Sequence, residues 1–282
     1  MLITGNAKLA GVFGWPVGHS LSPRLHGFWL DRYGIDGAYV PFAVKQDDFE
    51  MALRTLPKLG FRGANVTVPH KETALALCDQ VDTLAERIGA VNTIVVTPEG
   101  RLRGSNTDAF GFMENLTQEA PAWRAETGPA AVLGAGGAAR AIVAALVDAG
   151  VPEVRLINRT LKRAETLADN LGGPITVVPW AELTEALGGA NLLVNTTTQG
   201  MPGTPPLDVN LQALPEQAMV TDIIYTPLQT DLLKDAANRG HPTVGGLGML
   251  LHQARPGFSQ WFGREPEVDA ELRSFVLSGL SG

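Results

Sequence analysis

The sequence predicts an α/β protein of two domains, each built on a mostly parallel sheet. Two series of short strands alternating with helical patterns support this, and a glycine-rich turn between a strand and a helix opens the second series. A chain of 282 residues is long enough for two cores, and 45% hydrophobic against 18% charged residues is a globular composition.

In the first series, "KLAGVFG" (8–14), "AYVPFAV" (38–44), "FRGANVTV" (61–68) and "AVNTIVV" (90–96) have the β-branched content of strands. Between them, 22–33 and 46–57 place apolar residues at helical spacing. The stretch "NVTVPHK" (65–71) alternates, so Asn65 and Thr67 share one side while Val66 and Val68 pack behind. Pro69 has no N–H for a sheet, so it ends the pairing and can start a helix with Lys71 in its first turn.

The second series starts with the strand "AAVL" (130–133), the turn "GAGGAAR" (134–140) and the helix "AIVAALVDAG" ending at Gly150. Further strands follow in "EVRLINRT", "ITVVPW", "ANLLVNTT" and "AMVTDIIY", with helices at 161–170, 182–187 and 230–239. The two domains join near 107–129, with "ETGP" (126–129) marking entry to the second. From Gly248 onward the chain reads as helical and is expected to pack back across the first domain.

Gly134, Ala135, Gly136, Gly137 and Ala138 supply the small residues needed where backbone approaches a pyrophosphate at a helix N-terminus. Glycine turns also serve simply to pack a helix on a strand, but the position inside a βαβ unit favours a dinucleotide. An NAD site places an acid at the end of the second strand. Here that place holds Asn158, Arg159 and Thr160, with Arg163 one turn on. A guanidinium grips a 2′-phosphate with two donors, and Thr160 adds a hydroxyl and a candidate helix cap. The ordinary alternative is two surface arginines; their place at this strand end points to NADP(H).

The remaining composition excludes more than it reveals. Net charge is −7 with no block of like charge, which argues against non-specific nucleic-acid binding. Cys78 is the only cysteine, a spectator thiol, and the five histidines show no ligand spacing, so no metal is expected. "MLITGNAKLAG" is unlike a signal peptide, and the apolar stretch near 130–150 is broken by Arg140 and Asp148. A cytoplasmic protein without membrane or nucleic-acid partners, monomeric or homodimeric, is the expectation.

Nine segments in order carry a resemblance: "GWPVGHSLSPRLH" (14–26), "GANVTVPHK" (63–71), "GAVNTI" (89–94), "GSNTDAFGF" (104–112), "GAGGAAR" (134–140), "INRT" (157–160), "NTTTQGM" (195–201), "DIIYTPLQTDLL" (222–233) and "GGLGMLLHQA" (245–254). The chain resembles the shikimate dehydrogenases, which interconvert 3-dehydroshikimate and shikimate with NADP(H) on the chorismate route to aromatic amino acids. The resemblance implies a substrate domain over 1–107, a Rossmann NADP domain over 108–246, and C-terminal helices over 247–282 returning to the first domain. It implies that Ser20 and Ser22, helped by Tyr225, bind the substrate carboxylate. Asn65, Thr67, Asn92, Asp108 and Gln253 would hold the ring hydroxyls and the reacting oxygen. Lys71 would be catalytic, paired with Asp108. Thr196, Met201, Ile223 and Gly246 would belong to the cofactor side, the last three lining the nicotinamide.

The chemistry suits these residue types. Asn, Thr, Ser, Tyr and Gln can each match a hydroxyl, and a site built on such bonds rejects analogues lacking the hydroxyl. Reduction of a ring ketone leaves a developing alkoxide, for which Lys71 offers a proton or a charge and Asp108 orients the ammonium. Each residue also has an ordinary explanation: Lys71 as a solvated helix start, and Ser20, Ser22 and Asp108 as helix caps.

Two rivals remain at this level. A quinate or quinate/shikimate dehydrogenase would need a different pocket near Ser20 and Ser22, and the Ser-Leu-Ser spelling with Arg159 points to shikimate and NADP. A catalytically silent NADPH-binding regulator would have no need of both Lys71 and Asp108.

Overall fold

The computed structural model describes residues 3–279. The first two residues of the expected first domain and the last three of the C-terminal stretch therefore lie outside the described residues. Two compact units form, Met1–Thr107 with Gln253–Gly282 and Asp108–His252.

The first unit carries six strands: β1 (Lys8–Gly14), β2 (Gly37–Ala43), β3 (Phe61–Val66), β4 (Gln80–Val81), β5 (Thr93–Val96) and β6 (Leu102–Ser105). Their order is β2-β1-β3-β5-β6-β4. β1 runs parallel to both β2 and β3, whereas β5 is antiparallel to β3 and β6. Four helices accompany them: α1 (Ser22–Arg32), α2 (Phe49–Thr55), α3 (Lys71–Leu77) and α4 (Thr83–Ile88). The expected helix at 46–57 is shorter than its apolar spacing implied, because single 3-10 turns at Gln46–Asp48 and Pro57–Leu59 flank α2. Phe13, Phe49, Leu53, Ala64, Val66 and Ile94 belong to the apolar core of this unit.

In the second unit, α5 (Asp108–Glu119) occupies the segment expected to join the domains. Six strands follow: β7 (Ala130–Leu133), β8 (Val154–Asn158), β9 (Ile175–Pro179), β10 (Leu192–Asn195), β11 (Met219–Asp222) and β12 (Thr243–Val244). All adjacent pairs are parallel, in the order β12-β11-β10-β7-β8-β9. Counted from β7 as the first strand this is 3-2-1-4-5-6, the doubly wound Rossmann order. "AAVL" is buried at all four positions, as a central strand covered on both faces requires.

Helices α6 (Gly137–Asp148), α7 (Leu161–Leu171), α8 (Leu183–Ala186) and α9 (Asp231–Asn238) complete the βα series. α6 is rich in alanine, a good helix former whose small side chain permits close packing, and its run Ala141–Leu146 is buried.

Two C-terminal helices, α10 (Leu247–Phe262) and α11 (Ala270–Leu277), end the described chain. The part from Gln253 onward belongs to the first unit, as expected of helices that return there. Trp261 Nε1 donates to Ile94 O at 2.9 Å, and Trp29 Nε1 donates to Glu267 O at 2.9 Å. Arg32 adds ion pairs to Asp269 and Glu271, and Arg24 donates to Phe275 O.

Candidate functional site

Within the first unit the polar residues converge on the end of β3. Asn65 is the register partner of Thr93 on antiparallel β5. Its Nδ2 donates to Asn92 O at 3.2 Å and to Thr93 Oγ1 at 3.1 Å, while its Oδ1 accepts from the Tyr39 hydroxyl at 2.7 Å. Asn92 is buried, and its Oδ1 accepts from Thr93 Oγ1, Thr107 N and Thr107 Oγ1 at 2.9, 2.9 and 3.1 Å. Asn65 and Asn92, far apart in sequence, are thus brought together through a fully buried threonine.

Past Asn65 the strand frays. Thr67 N still donates to Phe13 O, and Trp15 N donates to Val68 O. Val66 is buried as expected, but Val68 is 69% exposed. The alternation expected through Val68 fails because β3 ends at Val66, and from there the approach to Pro69 breaks the period-two pattern. His70 stacks on Phe49 with ring centroids 4.2 Å apart, and its Nε2 lies 2.8 Å from Val44 O. This buried histidine anchors the start of α3, whose first residue is Lys71. The Lys71 carbonyl accepts from Val91 N at 3.0 Å, so Lys71 sits beside the segment that carries Asn92.

Ser20 and Ser22 flank the start of α1. Neither occupies its N-cap position, which is Leu21 without a side-chain cap. Instead Ser20 Oγ accepts from Ser22 N at 3.3 Å, and the Ser22 hydroxyl hydrogen-bonds Tyr39. Burial pushes the Tyr39 hydroxyl well above the usual phenol range, with the Ser22 bond opposing. Gln253 is the first residue of α10 counted in this unit.

One further group lies behind the network. His26 stacks flat on Tyr39 with centroids 3.9 Å apart, and neither ring nitrogen has a hydrogen-bond partner. Burial pulls its pKa down to about 3, an effect that Asn65 beside it only partly offsets.

The second unit holds Asp108, Tyr225 and the expected cofactor residues. Asp108 is buried and opens α5. Burial raises the Tyr225 hydroxyl above the usual range. The glycine turn leaves β7 at the point where the strand order reverses between β7 and β10. Gly134 has φ +104°, and a Cβ there would lie 2.8 Å from Thr196 Oγ1, which itself donates to Leu133 O at 2.6 Å. Gly136 takes the N-cap position of α6 with no side-chain cap, and a Cβ on Gly136 or Gly137 would meet nothing within 4 Å. A helix start without a side-chain cap, and with room beside its glycines for a ligand to approach, suits an anionic pyrophosphate. Ala135 is buried and Ala138 half-buried beside them.

At the end of β8, Asn158 Nδ2 donates to Thr160 O at 2.8 Å. Thr160 takes the N-cap position of α7, but its side chain makes no capping bond, which corrects the expected cap. Arg159 and Arg163 are exposed and form no ion pair among the described residues. The donor set fits a 2′-phosphate, with two guanidinium groups, one hydroxyl and no acid at the strand end.

The loops after β10 and β11 are clamped together. Asp222 is buried, and its carboxylate accepts from Asn195 Nδ2, Ile224 N and Thr230 Oγ1 at 3.1, 3.0 and 2.8 Å. Burial raises its pKa above the usual carboxylate value, against those three donors. Met201 and Ile223 sit on these loops, and Gly246 approaches Ile223 so closely that a Cβ would lie 2.1 Å from its carbonyl oxygen.

Sequence reasoning missed Tyr39, Thr93, Thr107, Asn195 and Asp222 as site-supporting residues. A single polar residue in or beside an apolar strand was the available signal for Thr93, Asn195 and Asp222. Among the described residues no group of His, Cys, Asp and Glu could hold a metal, and no helix is long and apolar enough to cross a membrane.

Three family models match in chain order. They are the shikimate dehydrogenase substrate binding domain (residues 12–94), shikimate/quinate 5-dehydrogenase (117–224) and the shikimate 5'-dehydrogenase C-terminal domain (246–270). A protein of Paramagnetospirillum magneticum named shikimate dehydrogenase (NADP(+)) is 63% identical over 276 residues, 98% of this chain and 100% of that protein. The chain belongs to the shikimate dehydrogenase family.

Solved structures of that family are superimposable on it. Shikimate 5-dehydrogenase from Thermus thermophilus in complex with NADP(H) and shikimate matches at TM-score 0.84 and 40% identity, covering 96% of this chain and 99% of that one. Quinate dehydrogenase from Corynebacterium glutamicum in complex with NAD matches at TM-score 0.89 but only 30% identity, covering 98% and 99%. Fold likeness is similar across the two chemistries, whereas sequence likeness favours shikimate with NADP.

Proposed function

We propose that this chain catalyses the reversible NADPH-dependent reduction of 3-dehydroshikimate to shikimate, within chorismate and aromatic amino acid biosynthesis. The observation that carries this reading is the 63% identity, over nearly the whole chain, to a protein named for that NADP-dependent activity. The end of β8, with Arg159 and Arg163 exposed and no acid at hand, supports the same cofactor.

In this reading residues 1–107 form the substrate domain, 108–246 the NADP domain, and 247–282 the helices that return to the first. Bound NADPH supplies the hydride. Gly134 to Ala138 admit the pyrophosphate, and the uncapped start of α6 gives it N–H donors. Asn158, Arg159, Thr160 and Arg163 hold the 2′-phosphate, while Thr196, Met201, Ile223 and Gly246 border the nicotinamide. Ser20 and Ser22, helped by Tyr225, bind the substrate carboxylate. Asn65, Thr67, Asn92 and Gln253 bond the ring hydroxyls.

Lys71 and Asp108 take the catalytic roles. As the carbonyl oxygen gains charge, the Lys71 ammonium stabilises it and delivers the proton, and in the reverse direction the amine accepts it. Burial makes the Asp108 carboxylate a costly group to keep without a purpose. A reducing, cytoplasmic setting suits a chain with one cysteine.

The test is turnover of shikimate and NADP⁺ by the Lys71→Ala and Lys71→Gln variants beside the parent protein. Both variants should lose at least about a hundredfold in kcat, the scale of a general acid/base contribution. Near-parental kcat in either would remove Lys71 from the chemistry.

A further inference from the structure

We propose that the hydroxyls of Tyr39 and Thr93 are positioning residues that lock the side-chain amide of Asn65, so that Asn65 meets substrate only as a hydrogen-bond acceptor. This rests on the reading of the first unit as the shikimate-binding one.

An asparagine amide presents donors at one end and an acceptor at the other, and rotation by half a turn exchanges them. At Asn65 the neighbours permit one orientation. Its Nδ2 lies 3.2 Å from Asn92 O, a backbone carbonyl that can only accept. The reversed amide would set two oxygens against each other there. Thr93 Oγ1 takes the second Nδ2 hydrogen at 3.1 Å. Thr93 is free to accept because its own hydrogen is directed to Asn92 Oδ1 at 2.9 Å. On the other side Tyr39 donates to Asn65 Oδ1 at 2.7 Å.

Tyr39 remains a donor across the working pH range, since burial pushes its ionisation well up. Its ring is held independently, stacked 3.9 Å from His26 at an interplanar angle of 7°. Donation therefore runs one way along Tyr39, Asn65, Thr93 and Asn92, and Thr107 N donates into the same Asn92 oxygen at 2.9 Å. With both Nδ2 hydrogens engaged, Asn65 can offer a ligand only its Oδ1, which already accepts from Tyr39 and lies beside the His26 ring. A ligand group meeting it must donate, as a hydroxyl does and a ketone or ether oxygen does not.

Neither Tyr39 nor Thr93 needs to touch the substrate for this effect. Thr93 is fully buried, and Tyr39 is buried apart from 7% of its surface. Loss of either hydroxyl removes one constraint on the amide and leaves a nearly isosteric side chain in place.

Kinetics of Tyr39→Phe, Thr93→Val and Thr93→Ser, with shikimate and NADP⁺ varied separately, test this. Tyr39→Phe and Thr93→Val should raise KM for shikimate roughly tenfold, the worth of one hydrogen bond, with KM for NADP⁺ unchanged. Thr93→Ser, which keeps the hydroxyl, should stay within about twofold of the parent. If Thr93→Val does not fold, Tyr39→Phe decides. Parental shikimate KM in folded Tyr39→Phe would overturn the proposal. So would a Thr93→Ser defect equal to that of Thr93→Val, or a matching rise in the NADP⁺ KM.

A parent protein that fails to turn over shikimate would count against the functional reading rather than the network. The Asn65 side-chain amide, assigned by NMR through Asn65→Asp, still tests the lock in that event. Slowly exchanging Nδ2 protons that become fast in Tyr39→Phe support it, and equal exchange in both contradicts it.

Discussion

Asn195 Nδ2 donates to Asp222 Oδ1 at 3.1 Å, joining the end of β10 to the end of β11 inside the second unit. The same carboxylate accepts from Ile224 N and Thr230 Oγ1, so one buried acid sets the course of the loop that carries Ile223 and Tyr225. Asp222→Ala would strand three buried donors. It should destabilise the protein by about 2–4 kcal/mol, read as a lower urea midpoint, and weaken NADP⁺ binding. An unchanged midpoint would mean that the clamp is dispensable.

The glycine turn separates folding from binding. Gly134→Ala should lower thermal stability, because its positive φ and the Thr196 hydroxyl leave no place for a methyl group. Gly136→Ala and Gly137→Ala should fold as the parent does, having open space around the new methyl, yet raise KM for NADP⁺ because the methyl enters the pyrophosphate's approach. Melting temperatures and cofactor KM values, measured on the same three proteins, check the contrast.

Cofactor choice is predicted to reside at the end of β8. Arg159→Asp should weaken NADP⁺ roughly ten- to hundredfold while leaving NAD⁺ little changed, because a charged hydrogen bond is replaced by repulsion against the 2′-phosphate alone. Initial rates with each cofactor measure this, and unchanged preference would contradict it.

The buried His26 links stability to pH. Its folded-state pKa, about 3, lies below its ordinary value of 6.5, so the unfolded chain binds the proton more readily. Stability from this group is therefore full above about pH 6.5 and declines as pH falls toward 3. Between pH 7 and pH 5 the loss should be about 2 kcal/mol. His26→Phe should remove that part of the slope in urea unfolding. Parallel slopes for the two proteins would show that His26 takes up its proton in the folded state.

Much of this architecture is legible in the residues. Continuous apolar strands such as "AAVL" and the glycine turn that follows define the doubly wound unit, because burial on both faces demands that composition. Short pairings were not legible: β4 and β12 have two residues each, and long-range registration rather than local pattern makes them strands. Val68 escaped its expected burial because β3 ends at Val66, two residues sooner than the alternation implied. Lys71 and Asn65 could be named from their motif, yet Tyr39 could not. Its hydroxyl reaches Asn65 across β1, which lies between β2 and β3, and only the sheet order reveals that.

The assignment of substrate and cofactor is decided by the initial rate of reduced-nicotinamide formation in four mixtures: shikimate or quinate, each with NADP⁺ or NAD⁺. Turnover is expected with shikimate and NADP⁺, and kcat/KM at least about tenfold lower in the other three. Preference for quinate with NAD⁺, or no turnover from folded protein that still binds NADPH, would contradict it.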